Sequence, residues 1–120
     1  MTSNTIAVLP FVNRSPDPDN EYFCDGITEE IINALARIEQ LKVTSRTSSF
    51  QFKGQAIAVK NIAQQLGVEV ILEGSIRLSG RKVRIMAQLV QAEEDFHFWS
   101  ETWDRQLDDI FAVQDEISLL

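Results

Sequence analysis

Two alternating runs, residues 68–78 and 82–90, meet at Ser79-Gly80-Arg81-Lys82, and no other feature constrains the fold of this chain as strongly. With Gly80 and Arg81 as the loop, the turn is of the kind that accepts glycine at its first central position. The register follows from that choice. Leu78 faces Val83, Ile76 faces Ile85, Gly74 faces Ala87 and Leu72 faces Leu89, all on one side, while Arg77 faces Arg84 and Glu73 faces Gln88 on the other. One apolar and one polar side is what an antiparallel pair shows when its sheet is covered on one face. The rest of the chain must be organised around that sheet.

The run Thr5-Ile-Ala-Val-Leu-Pro-Phe11 is nearly all apolar, as a strand buried on both faces would be, and Pro10 marks its end because proline cannot donate to a ladder. Residues 13–20 hold two prolines and several turn formers, and predict a loop. Ile27, Ile31, Leu35 and Ile38 form one stripe of a helix, with Glu29 and Glu30 near its positive end. Leu41 to Ser45 predicts a short second strand, and Arg46 to Gln55 an ordered connection. Val59, Ile62, Ala63 and Leu66 mark a second amphipathic helix capped by Gly67. After a turn at Glu93-Glu-Asp95, residues 96–104 alternate as a fifth strand. Asp108 then starts a third helix with Ile110, Val113, Ile117 and Leu120 spaced 3-4-3.

The order β-α-β-α-β-β-β-α predicts an α/β fold with a mixed five-stranded sheet and helices mainly on one face. The two βα crossovers make its first part parallel and the hairpins make the rest antiparallel. Right-handed crossovers keep both early helices on one face only if the strand order reverses neither connection. There is no internal repeat and no linker, so residues 1–120 read as a single domain. The last helix carries no stop signal, and the chain is expected to be a domain taken from a longer protein.

At 120 residues it is long enough to bury one core without disulfides or metals. Hydrophobic residues at 44% and charged residues at 24% exclude a disordered or collagen-like chain. No apolar run approaches the roughly 18–20 residues of a membrane span, and the first residues do not resemble a signal peptide, so no membrane contact and a cytoplasmic setting are expected. The net charge of −7 is uneven: −5 over residues 1–39, +6 over 40–92 and −8 over 93–120. A net-acidic chain is a poor partner for nucleic acid, whose capture needs a concentrated positive field.

Inventory excludes most chemistry. One cysteine, Cys24, and one histidine, His97, make neither an internal disulfide nor a His/Cys metal cluster. A calcium loop counted from Asp17 would place Tyr22 and Thr28 where glycine and glutamate are needed. Ser45, Ser48 and Ser49 lack the context of an activated nucleophile, His97 reads as an ordinary half-buried strand residue, and the five glycines are isolated, so no phosphate loop exists. The chain is therefore expected to have no catalytic residue, metal or cofactor.

Two features point to binding. Arg46-Thr-Ser-Ser-Phe-Gln-Phe-Lys-Gly54 places hydroxyls and aromatics between two cations. Arg46, Ser48, Ser49 and Lys53 could hold a small anion, unless the hydroxyls cap helix ends and Phe50 and Phe52 fill core. The second is Arg77 opposite Arg84, a like-charge pair that requires a nearby acid. Glu73 and Glu101 are the internal candidates, and a partner's carboxylate is the alternative.

Ile6-Ala-Val-Leu-Pro-Phe11, Glu21-Tyr-Phe-Cys-Asp-Gly-Ile-Thr-Glu-Glu30, Arg46-Thr-Ser-Ser-Phe50 and Leu66-Gly-Val-Glu-Val-Ile-Leu-Glu-Gly-Ser75 resemble, in order, blocks of a bacterial family. It is similar to the amino-terminal domain of TolB and related to FlgO. Val83-Arg-Ile-Met-Ala-Gln-Leu89, Trp99-Ser-Glu-Thr-Trp-Asp-Arg105 and residues 109–117 continue the resemblance over nearly the whole chain. It implies a mixed sheet with packed helices. It also implies a larger signalling protein, in which an AraC-type or OmpR-type DNA-binding module or a nucleotidyl cyclase precedes this domain and tetratricopeptide repeats follow. The implied role is a non-catalytic sensory or protein-interaction module coupling the repeats to the output. DNA would be bound by the parent and not by this domain; a small-anion or nucleotide receptor, or an accessory domain of a nucleotidyl cyclase, is the alternative. Ile117 and Leu120, at the end of the apolar stripe, are the expected contacts of a weak homodimer.

Overall fold

The structure is a computed structural model that describes residues 4–106. The predicted third helix, with Ile117 and Leu120, lies outside these residues. Strand β1 (Thr5–Val8) is the apolar run anticipated from the sequence, and β2 (Val12–Asn13) follows it. A 3-10 turn at Pro18–Asn20 leads into helix α1 (Glu21–Ala36), then come β3 (Lys42–Val43), α2 (Arg46–Phe50) and α3 (Val59–Leu66). The long strands β4 (Val70–Ser79), β5 (Lys82–Gln91) and β6 (Phe96–Gln106) complete the order.

The mixed α/β class holds, with two corrections of detail. The sheet has six strands, not five. Pro10 interrupts the first strand without ending its course: Leu9 N–H donates to the Leu72 carbonyl at 2.9 Å before it, and Arg14 N–H donates to the Ile76 carbonyl at 2.8 Å after it. The chain thus rejoins β4 as β2, and both segments run parallel to it.

The second correction concerns the helices. The strand order is β3-β1-β4-β5-β6, so the chain steps outward from β1 to β3 through α1 and returns past β1 to β4 through α3. Two right-handed crossovers in opposite directions put their helices on opposite faces. Ile6, Val8, Leu72 and Ile76 accordingly pack with Ile27, Ile31 and Leu35 of α1, while Ala7, Leu9 and Ile71 pack with Ile62 and Ala63 of α3. Successive strand residues point to opposite sides, so one short strand serves both cores.

The residues from Arg46 to Gln55 are ordered, as expected, and their first part is helical. Ser45 caps α2, its Oγ accepting the Ser48 N–H at 3.3 Å. Phe50 is half-buried against the α1 core and Phe52 against the α3 core, so this segment joins the two layers.

The hairpin has the register read from the sequence, with Gly80 at φ 61°. Gly74 is required by packing. A Cβ there would collide with the Met86 carbonyl oxygen and lie 2.8 Å from the Phe11 ring, which is 1% exposed. Phe11 is fixed from behind as well: its N–H donates to Thr28 Oγ1 at 3.0 Å, and that hydroxyl donates to the Cys24 carbonyl at 2.9 Å. This buried hydroxyl satisfies a backbone donor that Pro10 leaves outside the regular ladder.

Candidate interaction surface

The predicted anion-holding segment turns its cations toward α1. Arg46 Nε lies 3.3 Å from Glu29 Oε2, and its guanidinium carbon sits 4.1 Å from the centroid of the Phe50 ring. Lys53 Nζ meets Asp25 at 2.7 Å and Glu21 at 3.0 Å. The hydrogen bond to Asp25, chiefly, raises the Lys53 pKa above its ordinary value. Ser48 belongs to the cap of α2. Ser49 is fully buried, its hydroxyl without a partner among the described residues. An incoming anion would have to displace three carboxylates of α1 to reach these cations.

Cys24 is on the inner side of the same helix, fully buried. Burial, reinforced by Glu21 and Asp25, pushes its thiol up to about 11, away from thiolate chemistry. His97 stands exposed on β6, opposite Val90. The half-buried place expected for it is not found, because the β5–β6 register shifts between Leu89 and Val90.

The remaining feature is the face of β4, β5 and β6 turned away from α1. Ladder pairing arranges it in rows: Glu73, Gln88 and Ser100; Ser75, Met86 and Thr102; Arg77, Arg84 and Asp104; Ser79, Lys82 and Gln106. The outer two rows are wholly exposed, and Met86 is half exposed. A groove of about 660 Å³ separates this array from α3 and the loop before it, with Phe52 and Ile62 on one side and Met86 and Gln88 on the other.

Polar neighbours in the array bind one another. Gln88 Nε2 donates to Glu73 Oε1 at 2.5 Å. Arg84 grips Asp104 with two nitrogens, at 2.7 and 3.2 Å. That contact holds the Asp104 carboxyl below its usual range and raises the Arg84 guanidinium further. Of the Arg77–Arg84 pair, Arg84 therefore finds its acid in Asp104. Glu101, one of the two candidates from sequence, pairs with Ala87 on the other side of the sheet, and Glu73 is taken by Gln88. Parity along β6 carries the signal: Trp103 is core, so its neighbour Asp104 must face the opposite way. Arg77 and Lys82 make no ion pair with a described residue.

With this geometry the chain compares as follows with known proteins. A sequence model described as HilA/YgeH-like transcriptional regulator, second domain, matches residues 2–120. "Putative adenylate cyclase 3" of Rhizobium meliloti (strain 1021) is 47% identical over 114 residues, which cover 95% of this chain and 19% of that protein. Among solved structures, lipoprotein GNA1162 from Neisseria meningitidis superimposes with a TM-score of 0.71 at 19% identity, covering 96% of each chain. The LpoB C-terminal domain from Salmonella enterica gives 0.69 at 19% identity, over 88% of this chain and 85% of that one. TolB from Acinetobacter baumannii gives 0.68 at 17% identity, over 98% of this chain and 27% of that one. These structural likenesses establish a shared fold. Among the described residues no helix is long and apolar enough to cross a membrane.

Proposed function

The chain belongs to the HilA/YgeH-like transcriptional regulator second-domain family, and from that premise we propose that it is a non-catalytic protein-interaction module of a longer regulatory protein. The observation that carries this reading is the exposed array on β4, β5 and β6, left open while the other side of the same strands is packed. The relatives support a relay role. The family is described by transcriptional regulators, yet a 47% identical relative is named an adenylate cyclase, and the chain spans 19% of its length. One module joined to different outputs fits communication better than it fits the chemistry of either.

The proposed arrangement is cytoplasmic, with an AraC-type or OmpR-type DNA-binding output before this domain and tetratricopeptide repeats after it. DNA would be read by the output module, because this domain carries a net charge of −7. A role as accessory domain of a nucleotidyl cyclase is the second reading, favoured by the same 47% identity. A small-anion receptor centred on Arg46 and Lys53 is less well supported, since α1 already neutralises both.

A photo-crosslinking amino acid at Met86 of the longer protein, expressed in its own host, tests the interaction reading. An adduct with a neighbouring domain or a second protein supports it. Absence of any adduct from so exposed a position sinks it.

A further inference from the structure

We propose that the outer rows of the open face, at Arg77, Ser79, Lys82 and Arg84, dock an extended acidic segment of a partner protein. The inference rests on the interaction-module reading and names the chemistry of the partner. Like charges directly opposite in a ladder are unfavourable. Asp104 relieves Arg84 alone, through both of its oxygens. Arg77, opposite Arg84, and Lys82, diagonal to Arg77, have no carboxylate partner among the described residues, and Ser79 neighbours both on the same face, opposite Lys82 and two residues along β4 from Arg77. The result is a local excess of positive charge in a chain of net charge −7.

The spacing selects the partner. Diagonal neighbours in an antiparallel pair lie roughly 7–8 Å apart. Carboxylates at i and i+2 of an extended segment are separated by about 6.5–7 Å and point the same way. An acid-x-acid stretch can therefore place one carboxylate over Arg77 and the next over Lys82, with the Ser79 hydroxyl donating between them. Charge-assisted hydrogen bonds of this kind are short and directional. Nucleic acid fits less well. Its phosphates need a positive track, whereas here the cations are bordered by Asp104 in their own row and by Glu73 further along the face.

The test is an NMR titration of the isotope-labelled 120-residue chain with an alternating Glu-Ser octapeptide, a Gln-Ser octapeptide and a short random DNA duplex. The Glu-Ser peptide should move the amide signals of residues 77, 79, 82 and 84, with binding weakened by salt and the Gln-Ser control inert. The double substitution Arg77→Glu with Lys82→Glu should lower affinity by roughly tenfold or more and leave the melting temperature unchanged, because both side chains are exposed. Scattered signal changes, equal binding by the double variant, or tighter binding of the duplex at the same residues would each overturn the proposal. If the peptide fails while the Met86 crosslink still forms, the acidic partner is wrong and the interaction module stands. If both fail, the broader reading falls too.

Discussion

The two halves of the sheet solve different problems with one strand in common. In the parallel half, β3 and β1 have two and four residues, and β1 is buried by α1 on one side and α3 on the other, while β3 lies at the edge with Val43 packed toward α1. In the antiparallel half, β4, β5 and β6 have ten or eleven residues and leave one polar face open. Parallel strands need helical crossovers, so their cover comes with their connectivity. Hairpin-linked strands carry their own register and need cover on one side only. Freedom to vary an exposed surface is thus concentrated where the strands are longest.

Substitutions can break or sharpen this contrast. The largest effect is expected at the seam. Gly74→Ala forces a Cβ against the Met86 carbonyl and the Phe11 ring. Overpacking of this kind against backbone should cost upward of about 3 kcal/mol, read as loss of the folded baseline in a urea melt. Within the helix-covered half, Thr28→Val removes both hydrogen bonds of the buried hydroxyl and strands the Phe11 N–H. A loss of roughly 1–3 kcal/mol is expected, and a wild-type midpoint would show that the broken strand does not depend on α1.

A third prediction concerns alkaline stability. The Cys24 thiol is pushed from 9.0 up to about 11, first by burial and then by Glu21 and Asp25. Between those values the unfolded chain has released a proton that the native chain keeps. Its stabilising contribution is therefore complete below about 9, is lost as pH rises, and has gone once pH passes about 11. Denaturant midpoints measured across that window should fall in the wild type and fall less in Cys24→Ala. Smallest of all, Asp104→Asn on the open face should leave the melting temperature unchanged while shifting signals around Arg84, since that pair lies in full contact with water. A clear destabilisation there would erase the distinction between the two halves.

The same contrast explains what could be read in the sequence. The hairpin register and the stripe Ile27, Ile31 and Leu35 follow from local periods of two and 3.6, and both match the structure. Strand β2 was hidden because two residues, one of them the half-exposed Val12, show no alternation. The placement of α1 and α3 on opposite faces depends on β3 lying outside β1, a spatial order that no local pattern contains. Asp104 was missed because the irregularity between Leu89 and Val90 displaces β6 by one residue. Arg46 and Lys53 looked available because their partners, Glu29 and Asp25, belong to a helix distant in sequence.

The unequal strand lengths also govern steric reach. β1 and β2 accompany β4 only as far as Ile76, whereas β4 continues to Ser79 and β6 runs beside β5 to Gln106. The last rows of the hairpin therefore overhang the parallel half, as a ten-residue strand extends about 33 Å. A bulky partner could meet the Arg77 row from beyond that overhang without dislodging α1 or α3, so engagement at the tip and integrity of the sandwiched half become separable properties.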